Sequence, residues 1–213
     1  LLTRTRPPPD EEGWYPFDPQ GGVQGDHQLP TQDAHRANLL NRNFYTATLD
    51  TVWVSDITYI RTGQGWMRLA IVKDLCTKKV VGYALSSRID TDLVLGALRM
   101  AIRRQKPAPG LIFHSDRGVQ YASARFRSAL LGAGFRQSMS RKGDPYDNAV
   151  AENFFSCLKC ERLHLVQFAT FDQAADAVFA YIEAFYNTVR PHSGCGWLAP
   201  VPFEKSCFTQ IPA

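Results

Sequence analysis

The sequence predicts an α/β chain built on a mixed sheet. Three stretches between residues 51 and 88, "TVWVSDITYI", "GWMRLAIVKDL" and "KKVVGYALSSR", are rich in β-branched and aromatic residues. After them, helical periodicity alternates with short strand-like runs. Strands on both sides of a helix, within one chain of 213 residues, fit a single layered core with helices packed on a sheet.

Each element has its own reason. "RTGQG" between the first two strands is a hairpin signal, so the first three strands read as an antiparallel meander. "DTDLVLGALRMAIRRQ" places Leu93, Leu95, Leu98, Met100 and Ile102 in a helix that Asp90 caps and that ends before Pro107. "LIFHSD" is short and nearly all apolar, the pattern of a strand buried on both faces. "SARFRSALLGAG" reads as a helix closed by glycine, and "FRQSMS" as a fifth short strand. "DPYDNAVAENFFSCLKCERLH" reads as a helix whose start is marked by Pro145, with Asp147 as its cap. In "FDQAADAVFAYIEAFYNTV", Phe171, Ala175, Val178, Ile182, Phe185 and Val189 recur every three or four residues, which predicts one apolar face.

Residues 1 to 40 differ from the rest. Ten of the first 30 residues are Pro or Gly, and no period can be followed there, so this segment is expected to be disordered or a linker. The core is expected over residues 41–205, with a tail at 206–213. The chain begins at Leu1 rather than Met, which predicts a piece of a longer reading frame. No apolar run approaches the roughly 20 residues of a membrane span, and no signal-peptide layout appears, so a cytoplasmic home is expected.

The net charge of +4 permits a polyanionic partner without demanding one. Cys157 and Cys160 form a C-x-x-C, with His164, His192, Cys195 and Cys207 downstream. Cys195 and Cys207 are too far apart to complete a zinc site, so incidental thiols are the better reading.

Asp56 interrupts an apolar and aromatic strand, Asp116 ends the fourth strand, and Glu152 lies in the first turns of the later helix. With the first and fourth strands as neighbours, the two aspartates would face each other across one ladder spacing. Three converging carboxylates repel unless they share cations, and oxygen-only ligation suits Mg²⁺ or Mn²⁺. A pair of such ions about 3.5–4 Å apart serves in-line phosphoryl displacement. Taken singly, each acid also has a plain reading: a salt-bridged strand acid, a strand-end turn and a solvated helical glutamate. Asp74 competes as a further candidate.

"WVSDITYI", "HSDRGVQYAS", "SMSRKGDPYDNAVAENFFSCLK" and "FYNTVRPHSGCGW" resemble, in order, the signature stretches of the integrase core of insertion-sequence-three family transposases. The likeness runs over about residues 38 to 204. It implies a ribonuclease-H-like five-stranded mixed sheet flanked by helices, and a catalytic and metal-binding triad at Asp56, Asp116 and Glu152 with two Mg²⁺ or Mn²⁺ ions. It also implies a basic residue seven positions after the glutamate, where Lys159 stands. The implied activity is cutting at the element's terminal inverted repeats and joining the ends to target DNA. The implied enzyme is an oligomer in the bacterial cytoplasm, associated with the nucleoid.

Arg136, Arg141, Lys142, Lys159 and Arg162 are the cations expected to meet DNA phosphates. Family members carry helix-turn-helix segments before the core, and residues 1 to 40 lack that pattern, so an upstream DNA-binding partner is expected. Cys195 and Trp197 stand where the family usually has Leu and Tyr, and Pro145 where a cysteine is common. Two rival readings are a nuclease acting on RNA–DNA hybrids and a DNA-binding remnant without chemistry.

Overall fold

The computed structural model describes residues 36–142 and 144–209. The expectation for the N-terminal segment therefore lies, up to residue 35, outside the described residues. Strands β1 (Val52–Thr62), β2 (Gly65–Asp74) and β3 (Val80–Ser86) form the expected meander. The β1–β2 turn closes tightly, with Thr62 opposite Gly65, whose φ of 116° suits glycine. Helix α1 (Thr91–Gln105) follows, capped by Asp90, whose side chain accepts from the Leu93 N–H at 3.0 Å. Strand β4 (Ile112–Ser115) then runs parallel to β1, and β5 (Arg136–Met139) parallel to β4. Between β4 and β5 lie the short α2 (Val119–Ala122) and α3 (Ala124–Gly132), the latter closed through Gly134 at φ 72°. The sheet order is β3-β2-β1-β4-β5. This is the expected mixed five-stranded sheet.

Strand alternation sorts the core into two layers. Trp53, Ala70, Val72 and Phe113 face α1 and α3, whereas Ile60, Met67, Leu69 and Ile71 face α4 (Ala149–Glu161) and α5 (Phe171–Phe179). A last helix, α6 (Pro200–Thr209), carries regular structure past the expected core boundary at 205. At the other end Leu40 is already buried, and Ala37 and Leu39 bond to the end of β5, so the core starts a few residues before 41. Among the described residues no helix is long and apolar enough to cross a membrane.

Two local expectations need correction. The apolar face of the long C-terminal helix does not persist through Phe185 and Val189, which are 40% and 61% exposed. After Phe179 the chain becomes a π-helix (Ala180–Tyr186) with i→i+5 bonds such as Asn187 N–H to Ile182 C=O at 3.0 Å. Ile182 keeps its expected place in the core, and the widened turn brings Tyr181 and Tyr186 into it in place of Phe185 and Val189. The second correction concerns Asp147. It lies in a 3₁₀ turn (Pro145–Asn148) and does not cap α4, because its carboxylate is taken by Arg141.

Candidate active site

The parallel pairing of β1 and β4 ends at Ser55 opposite Ser115. The next residues on the two strands are Asp56 and Asp116, so the register sets them side by side on the face that α4 covers. Asp56 continues along β1, which runs on past the end of β4. Asp116 opens the loop to α2, and its Oδ1 accepts from the Gly118 N–H at 3.0 Å. A Cβ at position 118 would come within 3.0 Å of that oxygen, which explains the glycine beside the acid. Glu152 stands exposed in the first turn of α4, where the helix N-terminus favours a negative charge.

All three acids line one open cavity of about 460 Å³, together with Arg117, Ser140, Arg141, Lys142, Asp144 and Asn148. Among the described residues no three acidic, histidine or cysteine side chains are gathered onto a single ion-binding point, so the triad shares the cavity walls rather than one ligation centre. The electrostatics show what the cavity lacks. Burial pushes the Asp56 carboxyl up to about 7; Asp116 and Glu152 push in the same direction, and Lys159 opposes them. Burial also raises Asp116. Both carboxyls are therefore held where the charged form has lost water without gaining enough donors in return. The Asn148 side-chain oxygen is buried in the same wall with no hydrogen-bond partner among the described residues. An all-oxygen set with spare lone pairs fits Mg²⁺ or Mn²⁺ better than zinc or copper.

A buried latch fixes the loop between β5 and α4. Arg141 donates to Asp147 through its backbone N–H, Nε and Nη2 at 2.8–3.0 Å, and Arg42 and Asp144 add ion pairs. These bonds hold the Asp147 carboxyl well below the usual carboxylate range. His114 of β4 completes the latch, with Nδ1 2.8 Å from Ser138 Oγ and Nε2 2.9 Å from the Asp147 carbonyl. Burial lowers its proton affinity.

Of the five expected DNA-contacting cations, Arg141 and Lys142 reach the cavity. Arg141 is half exposed but shared with two carboxylates. Lys159 is near enough for Asp56 to feel its charge but does not line the cavity. Arg136 begins β5, at the strand end away from the site, and Arg162 lies ten residues beyond Glu152, about 15 Å along the helix axis. The structure does not bring these two to the cavity. It adds Arg117, whose Nε donates to the Ser140 carbonyl at 2.7 Å, and Asn148, neither of which sequence reasoning singled out as a site residue. Arg117 sits beside the Asp116 motif, which was the available signal. Asp74, the competing acid, is committed elsewhere: it accepts from the Thr77 N–H and hydroxyl and from the Asp50 N–H, closing the turn after β2.

Known proteins resemble this chain over most of its described length. Two models described as integrase core domain match residues 49–145 and 133–200. The chain is 44% identical over 170 residues to the transposase for insertion sequence element IS904 of Lactococcus lactis subsp. lactis (strain IL1403), covering 80% of this chain and 67% of the relative. The chain belongs to the insertion-sequence-three family of transposases. This integrase core is also 43% identical over 179 residues to transposase InsF for insertion sequence IS3A of Escherichia coli (strain K12), covering 84% of this chain and 61% of the relative. It thus spans between 61% and 67% of the length of these two relatives. Among solved structures, the HTLV-2 integrase catalytic core in complex with magnesium superposes with a TM-score of 0.56 at 14% identity, over 72% of this chain and 95% of that one. That likeness extends to the fold, which is ribonuclease-H-like as expected.

Proposed function

We propose that this core cuts DNA at the ends of its element and joins those ends to target DNA, with Asp56, Asp116 and Glu152 as the catalytic acids. The observation that carries the proposal is the convergence of the middle of one strand, the end of its parallel neighbour and the start of one helix on a cavity lined by all three acids, two of them buried with few donors. Asp56, Asp116 and Glu152 would hold divalent cations, two Mg²⁺ or Mn²⁺ in the full reading; such ions lower the charge on the scissile phosphate and sharpen an attacking oxygen. Magnesium accompanies the viral core of similar fold, and the donor set here suits it.

The chain's own residues do the rest. Arg117 and Lys142 on the cavity rim draw in the phosphate backbone, and Lys159 extends that field along α4. The Arg141–Asp147 latch keeps the start of α4 in place and so positions Glu152. Water or a DNA 3′-hydroxyl can serve as nucleophile without a covalent enzyme intermediate. Work at two element ends fits a homo-oligomer on DNA, with an upstream helix-turn-helix part supplying the address.

The test is nicking and strand transfer on an element-end duplex with Mg²⁺ or Mn²⁺. Asp116→Asn should remove both products while its thermal unfolding stays within a few degrees of the parent. Undiminished activity in that variant would sink the assignment. Cleavage confined to RNA–DNA hybrids would favour the nuclease reading, and DNA binding with no product from the parent chain would favour a remnant.

A further inference from the structure

The far end of the β1–β2 hairpin carries a second cluster that the active site does not use. The register sets Tyr59 opposite Arg68 and Arg61 opposite Trp66. Strand alternation puts all four on the sheet face opposite Asp56. Nearer the middle of the sheet that face is covered by α1, but here Tyr59 and Trp66 remain 46% and 50% exposed. The rings meet edge to face, 6.3 Å apart at 90°, and the Arg68 guanidinium sits 5.5 Å over Tyr59. Arg68 in turn donates to the Trp66 and Ser87 carbonyls at 2.7 and 2.5 Å, so the aromatic pair is braced from both strands. Arg61 is exposed and has no ion pair among the described residues, while nearby Arg88 is paired to Asp90.

We infer that this hairpin end is a stacking platform for single-stranded DNA flanking the cut. Rings interleaved with arginines offer π-faces to bases and positive charge to phosphates, the combination that binds single strands without reading sequence. A base kept in a duplex stack cannot present its face to Trp66, so the fit is to an unpaired strand. An apolar protein partner would leave Arg61 and Arg68 facing it without counter-charge.

Position supports the assignment. Tyr59 and Arg61 lie three and five residues past Asp56 on β1, about 10–17 Å along the strand. At about 3.4 Å per nucleotide that span alone is three to five nucleotides, and the DNA must also turn round the edge of β1 to reach the opposite face, so the platform would meet DNA about five or more nucleotides from the cut. β4 stops at Ser115, so past the cavity that edge of β1 pairs with no strand until Thr62, which bridges to Phe168. The inference takes the identity of its ligand from the proposed function, but its test needs no catalysis.

The test is fluorescence anisotropy with a labelled single strand of about 12 nucleotides and the matching duplex, in EDTA, using the full chain. Trp66→Ala should weaken single-strand binding about tenfold and duplex binding less than about threefold. Trp66→Phe, which keeps a ring, should stay within about threefold of the parent for both, and Arg61→Ala should weaken the single strand and flatten its salt dependence. Thermal unfolding of each variant checks the fold. Single-strand binding by Trp66→Ala equal to the parent, or an equal loss on single strand and duplex, would overturn the inference. So would a Trp66→Ala variant that alters only self-association in sedimentation. A chain that fails to cut DNA but passes these tests would refute the proposed function and leave the platform standing.

Discussion

Lys73 offers a quantitative check on how this core is held together. It lies on β2 between Val54 and Val80, is 2% exposed, and has the rings of Phe154 and Tyr186 5.9 and 5.5 Å from its ammonium. Burial lowers it from the usual 10.5 to about 7, with Lys78 and Arg190 adding repulsion. A drop of that size corresponds to about 5 kcal/mol against the charged form. The two rings favour the cation, but the drop is the net result, so burial outweighs them. The sign follows from proton counts. Below pH 7 the lysine is charged in folded and unfolded chains alike, and the folded state bears the full penalty. Between 7 and 10.5 the folded chain has released the proton that the unfolded chain still holds, so stability rises with pH. Lys73→Met keeps the stem and removes the titration. It should be more stable than the parent by about 5 kcal/mol at pH 6, a gap that shrinks to about 1 kcal/mol at pH 9.5. Guanidinium unfolding at the two pH values reads this directly. A gap that does not change with pH, or a variant less stable at pH 6, would show that the ammonium is solvated or paired, and the reasoning would fail.

Lys159→Ala should weaken binding to element-end duplex and reduce the salt slope by about one phosphate contact, measured by anisotropy across salt concentrations; an unchanged slope would leave Lys159 solvated. Asp147→Ala removes the buried acceptor of Arg141 and should lower stability by about 2–3 kcal/mol in urea unfolding, with strand transfer falling as α4 loses its anchor. Because the Asp147 carboxyl is held below its usual range, its contribution is present above the ordinary carboxylate value and is lost as pH falls, so parent and variant should converge in acid. Gly82→Ala would place a Cβ 2.3 Å from the Ala97 carbonyl of α1 and 2.7 Å from the Ala101 nitrogen, so β3 and α1 must separate, at about 3 kcal/mol by thermal unfolding.

The parts of the fold that follow local rules were legible in the sequence. The meander was written in β-branched alternation, the start of α1 in Asp90, and the end of α3 in its glycines. Asp56 stood out because it interrupts an apolar strand; the set of Asp56, Asp116 and Glu152 was what the family resemblance implied, and the three do line one cavity. What escaped reading depends on contacts between segments. The π-helix after Phe179 preserves helical composition and changes only the hydrogen-bond span, so periodicity carried Phe185 and Val189 to the wrong face. Asp147 has the residue type and position of a cap, yet a bidentate arginine six residues back outcompetes the helix N–H groups for its oxygens. Arg136 and Arg162 joined the expected DNA set by charge alone, and strand direction and helix length place them off the cavity.

The buried acids of this chain also differ in how they are satisfied, and that difference separates scaffold from site. Asp74 receives three donors, from Asp50 and twice from Thr77, and Asp147 receives three from Arg141. Each is the end point of a turn or a latch and has little capacity left. Asp56 and Asp116 each accept one backbone N–H, from a residue one or two positions ahead. A buried carboxylate left that poor in donors is costly, and the chain supplies full sets to the acids that only hold the fold. The unused lone pairs point instead into an open cavity shared with Glu152 and an Asn148 oxygen that has no hydrogen-bond partner among the described residues. Other buried polar atoms of the described residues also lack partners, among them Gln137 Oε1 and Tyr186 Oη, but they are single neutral groups. Here two poorly satisfied acids share one cavity, and under the proposed function a divalent cation would supply what the protein does not.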